Sequence, residues 1–403
     1  MTPIRTRRRG PAAAAVATAT AAVLTAAALP AQAAPPAGRA PGAVADTASG
    51  SYLVTLAPGP GGVRASSAAG RALAARYGAR ISHTYRTAVN GFAVRATAAQ
   101  AKRLAADPAV ASVARDRTVS LDRTQRNPPS WGLDRLDRRS LPLDRSYTAP
   151  QPGGEGVTVY VLDTGVRTTH RDFGGRATSG WDFVGGDADA DDANGHGTHV
   201  AATAVGARYG VAKRARVVGV RVLNSAGTGS TAQVIAGIDW VARHARRPAV
   251  ANLSLGSAPS AQLDQAVRNA IAAGVTFTVA AGNHGRPAAA SSPGRVREAV
   301  TVGASDARDR RAAFSNYGAK LDLFAPGVGI TSAWNSGDTA KRTLSGTSMA
   351  APHAAGAAAL YLSSHRRAGP KEVRNALAAA AAQHRIKAAG PGSPNALLQV
   401  RSR

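Results

Sequence analysis

The chain has 403 residues, long enough for more than one hydrophobic core, and its 44% hydrophobic content is ordinary for a globular protein. It has no cysteine, which excludes both disulfides and thiol catalysis, and aromatics make up only 4%. The net charge of +27 is spread along the chain, with 16 basic and 4 acidic residues in 1–123 and 34 and 19 in 124–403. No dense basic stripe with interleaved aromatics stands out, so the charge reads as a soluble basic surface and not as a nucleic-acid site.

In chain order, Met1–Arg9 is a basic stretch, Pro11–Leu29 is apolar and Ala-rich, and Ala31-Gln32-Ala33 fits an A-x-A cleavage site. Residues 1–33 therefore read as a secretory signal peptide. A membrane anchor is the weaker reading, because the apolar run is mostly Ala and Thr and is followed by Pro30. The arginines touch a twin-arginine pattern, but the residues after them do not support that route. Residues 34–50 are a Pro/Ala/Gly linker. Residues 51–123 form a small patterned unit: a strand at Tyr52–Leu56, a helix at Ala68–Tyr77, a strand around Gly91–Val94, a helix at Ala98–Ala106 capped by Thr97, and a strand at Val110–Val119. A β-α-β-β-α-β order resembles the ferredoxin-like plan. Its place between signal and main domain points to a propeptide.

Residues 124–403 alternate short apolar strands with helices. The strands are expected at Val157–Leu162, Val217–Val222, Val250–Ser254, Thr276–Ala280 and Ala299–Val302. The helices are expected at Gly197–Val205, Thr231–Arg243, Ala261–Ala273 and Ser348–Ser363. This predicts an α/β fold, a doubly wound and mainly parallel sheet with helices on both faces, its site beyond the carboxyl ends of the strands.

Four segments carry chemistry. Asp163 ends the first strand and could orient an imidazole; taken alone it reads first as a turn residue. His196, in Asn194-Gly-His-Gly-Thr-His-Val200, opens a helix between two glycines. His199 follows, but H-x-x-H lacks the Glu of the zinc-protease helix, which favours His196 as general base and His199 as a packed helix residue. Ser348 begins an apolar helix, where free N–H groups and the dipole favour a developing oxyanion; a plain helix cap reads equally well. Asn283 offers an N–H₂ donor at another strand end, or serves a simple turn.

Together Asp163-Thr-Gly, Gly195-His-Gly-Thr-His-Val-Ala, Ala280-Ala-Gly-Asn283 and Gly346-Thr-Ser-Met-Ala-Ala-Pro-His353 resemble the subtilases. Trp131-Gly-Leu-Asp-Arg135, Tyr209-Gly-Val-Ala212, Phe314-Ser-Asn-Tyr-Gly318 and Gly392-Ser-Pro-Asn395 are similar to the proteinase K and aqualysin branch. The resemblance implies a secreted serine endopeptidase with Asp163, His196 and Ser348 as triad and Asn283 in the oxyanion hole. It also implies substrate rails at Ser254-Leu255-Gly256 and Gly227-Thr228-Gly229, and an open, apolar primary pocket at Ala280, Ala281 and Gly282 that prefers large apolar or aromatic residues. A structural calcium ion is implied at Asp322 with the carbonyls of Arg297 and Ala299. Asp134, Asp137 and Asp144 form a second candidate, against which Arg138 stands in a usual ligand position. Asp187–Asp192 reads as a solvated acidic loop. The implied partners are protein and peptide substrates and the chain's own propeptide as inhibitor; no organic cofactor, nucleic acid or stable membrane association is expected, and the enzyme is expected to be a monomer. Ala193 and Ser225 stand where relatives carry disulfides, and Ala202 where Gly is common. A catalytically dead subtilase is opposed by the intact motifs, and an α/β-hydrolase esterase by the absence of G-x-S-x-G around Ser348.

Overall fold

A computed structural model of the chain describes residues 50–59, 62–116 and 124–400. The chain divides into two compact units at Ser120/Leu121. In the first, β1 (Gly50–Leu56), α1 (Ala68–Arg76), β2 (Arg80–Tyr85), β3 (Gly91–Ala96), α2 (Ala98–Ala105) and β4 (Val110–Arg115) follow the expected order. The four strands form a sheet in the order β2-β3-β1-β4, and β1 pairs antiparallel with both β3 and β4. Thr97 caps α2 in a capping box with Gln100. Val54, Leu56, Phe92, Val94, Leu73 and Leu104 make this unit's core. The last strand ends at Arg115, and Asp116 has already left it; residues 117–119 of the expected strand lie outside the described residues.

The second unit begins with β5 (Thr124–Arg126), α3 (Trp131–Asp137), β6 (Ser146–Thr148) and β7 (Thr158–Asp163). It continues through β8 (Ala177–Asp182), α4 (His196–Val205), β9 (Arg216–Arg221), α5 (Thr231–His244), β10 (Ala249–Leu253), α6 (Ala261–Ala272), β11 (Thr276–Ala280) and β12 (Val300–Ser305). It ends with β13 (Leu323–Pro326), β14 (Ile330–Ala333), β15 (Lys341–Leu344), α7 (Thr347–Ser364), α8 (Pro370–Ala380), β16 (Ala382–Gln383) and β17 (Ala396–Leu397). The main sheet runs β16-β17-β13-β12-β11-β10-β7-β9-β8 and is parallel except for the β16/β17 edge pair.

Strand β7 shows why both faces are covered. Val159 and Val161 feed the core under α4 and α7, while Tyr160 and Leu162 feed the core under α5 and α6. A strand buried on both sides must be apolar throughout, and each fully buried Val or Leu stabilises the fold by roughly 1.5–3 kcal/mol. Helix α7 is rich in Ala, so it packs closely on β10, β11 and β12 and against α4 beside it; Ala202 of α4 is fully buried. The first strand of the main sheet, β7, has β9 on one side and β10 on the other, so the chain winds both ways from it. The carboxyl ends of β7, β10 and β11 meet around that switch, where a doubly wound sheet opens a crevice. Among the described residues, no helix is long and apolar enough to cross a membrane.

Candidate active site

Asp163 is the last residue of β7 and is fully buried. His196 is the first residue of α4, and its Nδ1 lies 2.7 Å from Asp163 Oδ1. The Thr164 N–H donates to the same oxygen at 2.8 Å, while Asp163 Oδ2 is buried with no partner among the described residues. Burial by itself would push the His196 pKa down, but the charge and hydrogen bond of Asp163, helped by Asp192, more than offset it and raise it above the ordinary 6.5. The start of α4 is fixed by Asp192, not by its cap residue. Gly195 has φ +113°, a left-handed conformation costly for other residues. Asp192 Oδ1 accepts from Gly195 N and Thr164 Oγ, and its Oδ2 from Thr198 N and Thr198 Oγ. The acidic loop is therefore not simply solvated: Asp192 is buried at 4% exposure and ties β7 to α4.

Ser348 lies in the first turn of α7. Its Oγ donates to the Ser254 carbonyl at 3.1 Å and, among the described residues, not to His196. Such bonds commonly tighten only when substrate binds. Asn283 is held by Thr347, whose N–H and Oγ both donate to Asn283 Oδ1 at 2.8 Å. With the carbonyl end taken, the amide N–H₂ is left to face the Ser348 side. Gly282 has φ +102°, and a side chain there would strike Asn316.

Two cavities flank the pair. One of about 500 Å³ is lined by His196, by Gly227, Thr228 and Gly229, and by Ser254, Leu255 and Gly256, so both predicted rails face one cleft beside the histidine. A second, of about 310 Å³, is lined by Ala280, Gly282, Asn283, Thr347 and Ser348 and shares Leu255 and Gly256 with the first. Ala281 is a correction. It is fully buried in the small core with Phe324 and Leu397, and its side chain does not line the pocket that Ala280 and Gly282 line. His199 is the packed helix residue expected, fully buried with Nε2 3.0 Å from the Ile330 carbonyl. At the positions of the missing disulfide, Asn194 Nδ2 donates to the Ser225 carbonyl at 2.8 Å.

The cation sites divide. Asp322 is a nearly buried carboxylate, and each oxygen takes one donor: Arg374 Nε at 2.7 Å and Thr301 N at 2.8 Å. Burial still holds its carboxyl above the ordinary range despite these donors. Arg374 and Arg297 already bring positive charge to this carboxylate, but lone pairs left on both oxygens could still take a hard cation. The second candidate keeps one free oxygen: Asp137 Oδ1 is buried with no partner among the described residues, and burial with the charges of Asp144 and Asp134 pushes its carboxyl up to about 6. Asp134 accepts from Asp144 N and Arg145 N, Asp137 from Thr148 N, and Asp144 pairs with Arg138 at 3.1 Å. These carboxylates staple turns, and among the described residues no group of three or more acidic or histidine side chains is placed to hold a metal.

The comparisons agree with this geometry. The Subtilase family model matches residues 154–397 and the Peptidase inhibitor I9 model matches 52–122. The chain is 51% identical over 321 residues to an extracellular serine proteinase of Thermus sp. strain Rt41A, covering 80% of this chain and 78% of that one. It is 48% identical to alkaline serine exoprotease A of Vibrio alginolyticus, covering 80% of this chain and 60% of that one. A crystal structure of a cold-adapted subtilisin-like serine proteinase matches with TM-score 0.66 and 51% identity over 68% of this chain and 98% of its own. A buried Asp–His pair at the switch point of a doubly wound sheet, a serine at a helix start beside it and an inhibitor-type amino-terminal unit thus belong to one kind of enzyme, and this chain is a member of the subtilase family of serine proteinases.

Proposed function

We propose that the chain is a secreted serine endopeptidase that cuts peptide bonds through an acyl-enzyme on Ser348, with the 2.7 Å contact of His196 Nδ1 with Asp163 as the observation that carries the reading. Asp163 accepts a hydrogen bond from the Nδ1 N–H, which fixes the tautomer and leaves the Nε2 lone pair to take the proton of Ser348 Oγ. Ser348 Oγ then bonds to the peptide carbonyl carbon, and the electrons move to the carbonyl oxygen. The Asn283 amide and the Ser348 N–H, at the positive end of α7, receive that oxyanion. His196 returns the proton to the leaving amine, and a water molecule repeats the sequence to free the acid. Extended substrate pairs with the rails Ser254–Gly256 and Gly227–Gly229 as an added strand. The pocket walls at Ala280 and Gly282 suit a large apolar or aromatic side chain before the scissile bond. A calcium ion held by Asp322, with the carbonyls of Arg297 and Ala299, stabilises the fold and takes no part in the reaction. Residues 1–33 export the chain and residues 51–123 block the cleft until they are removed.

The test is digestion of casein by the purified protein with and without a serine-directed inhibitor, the cut sites being read by mass spectrometry. Cleavage that the inhibitor abolishes, after mainly Phe, Tyr and Leu, is expected. Cleavage indifferent to the inhibitor would overturn the assignment.

A further inference from the structure

The primary pocket carries a charge pattern that the apolar preference does not use. Beyond Ala280 and Gly282, the lining of the 310 Å³ cavity includes His284 and Arg286, and no acidic residue. The turn that bears them is fixed. His284 N and Arg286 N both donate to Asn316 Oδ1, at 3.1 and 3.2 Å. Gly285 N donates to the Phe314 carbonyl at 2.8 Å, and Tyr317 N donates to the Arg286 carbonyl at 3.1 Å. Asn316 is itself fully buried, so this anchor does not drift. Arg286 is exposed, and among the described residues its guanidinium has no hydrogen bond, ion pair or ring partner. Two other arginines of this unit are paired, Arg295 with Asp264 and Arg374 with Asp322.

An unpaired guanidinium at the mouth of a pocket with short apolar walls suits a side chain that is apolar along its stem and anionic at its end. We infer that Arg286, with His284 beside it, makes this pocket accept glutamate before the scissile bond in preference to its neutral isostere glutamine. The inference rests on the Ser348 mechanism proposed above and names a substrate class for that same pocket. The pair formed is exposed, so its worth is modest: a preference of about two- to six-fold, larger at low salt.

Matched peptides differing only before the scissile bond, with Phe, Glu, Gln or Lys there, test it through kcat/KM. The wild-type Glu-to-Gln ratio should be about three to five in low salt and fall toward one in about 1 M salt, where the screening length is near 3 Å. Arg286→Gln should bring the ratio to one, and Arg286→Glu should reverse it and favour Lys over Gln. Each ratio is taken within one protein, so a general loss of activity in a variant cancels. A wild-type ratio of one at low salt, or a ratio that Arg286→Glu leaves unchanged, overturns the inference while the Phe peptide is still cut. Failure to cut the Phe peptide, or cleavage insensitive to a serine-directed inhibitor, would instead overturn the mechanism.

Discussion

Ser254 and Ser348 exchange hydrogen bonds: Ser348 Oγ donates to the Ser254 carbonyl at 3.1 Å, and Ser254 Oγ donates to the Ser348 carbonyl at 2.8 Å. The second bond answers a defect in α7. Pro352 lies inside the helix and has no N–H, so the Ser348 carbonyl four residues back lacks its helical donor. Asn252 Nδ2 donates to Ser254 Oγ at 2.9 Å, and Thr278 Oγ donates to Asn252 Oδ1 at 2.9 Å, so a buried chain across β10 and β11 orients that hydroxyl. Ser254→Ala should leave the Ser348 carbonyl unpaired, at a cost of about 1–3 kcal/mol. Melting should fall accordingly, and kcat should drop about 5- to 30-fold through the displaced nucleophile, with KM little changed. An unchanged kcat would show that the bond is structural only.

Asn283 makes the next prediction. Thr347 holds its carbonyl end, so Asn283→Ala removes an oxyanion donor and releases Thr347 as well. A loss of about 10²–10³ in kcat is expected, the magnitude established for an oxyanion asparagine in a subtilisin. Thr347→Val, which keeps Asn283 but removes one of its anchors, should lose less. Full activity in Asn283→Ala would remove Asn283 from the mechanism.

Two pH effects with opposite signs follow from the histidines. His196 has a raised pKa, so its protonated form is favoured in the fold; the stability this gives is present at acid pH and lost as pH rises through the raised value. Catalysis needs the neutral ring, so activity should rise over that same interval, with a midpoint above 6.5. Asp163→Asn should move the midpoint down and lower kcat by about 10⁴. His199 and His353 go the other way. Burial depresses them to about 3 and about 4, and their Nδ1 and Nε2 atoms respectively are buried without partners among the described residues. Their contribution to stability is present above about 6.5 and lost as pH falls toward those values, by up to about 1.4 kcal/mol per pH unit for each ring. Melting of a Ser348→Ala protein, which avoids self-digestion, should therefore fall steeply between pH 6.5 and 4.5. A flat profile there would contradict the assignment of both rings as buried and neutral.

Arg374 occupies one oxygen of Asp322, so the calcium ion proposed there would share the carboxylate with a guanidinium. Calcium at about 100 times its dissociation constant would add about 2.7 kcal/mol. The wild type should melt higher in calcium than in chelator, and Arg374→Ala should widen the difference, because the internal cation no longer offsets its loss. Equal melting in calcium and chelator for both proteins would remove the ion from this site.

How far the sequence could be read depends on which residues speak for themselves. The apolar runs at Thr158–Asp163, Ala249–Leu253 and Thr276–Ala280 announce buried parallel strands within a residue or two of their bounds. Strand β8, Ala177–Asp182, was not legible because Gly180 and its polar neighbours break the apolar pattern at the sheet edge. Helix α8 and the hairpin of β14 and β15 were missed for the same lack of a long apolar run. The motifs placed His196, Ser348 and Asn283, but not their supports. Asp192 looked like one acid among several, and only the fold shows that it is buried against Thr164 and Thr198. The bond of Ser254 to Ser348 joins residues 94 apart, and no local pattern carries it. A proline and a serine that distant acquire their relation only when β10 is laid beside α7.

The last prediction concerns maturation. Strand β4 of the inhibitor-like unit ends at Arg115, and β5 begins at Thr124, pairing with β6 from Thr124↔Thr148 to Arg126↔Ser146. Gln125 Nε2 also donates to the Arg208 carbonyl at 2.9 Å, so the segment after Thr124 is stitched into the catalytic unit. A cut made within either paired region would have to break strand hydrogen bonds first. The cut is expected near Leu121 to Thr124, just ahead of β5, with the mature enzyme starting close to Thr124. The reason to carry the unit at all is kinetic. Parallel strands such as β7 and β10 are about 90 residues apart in sequence, and bringing such distant segments together is slow, so a template that folds locally first shortens the search. Under the proposed function the same unit would then act as inhibitor until the peptidase removes it. Ser348→Ala should accumulate as the uncut precursor, because the enzyme makes the cut itself, and adding a trace of active enzyme should restore processing. Amino-terminal sequencing of active secreted protein decides the matter. A start near Ala34, with residues 51–121 still attached to a fully active enzyme, would refute processing, and a Ser348→Ala protein that matures alone would assign the cut to another protease.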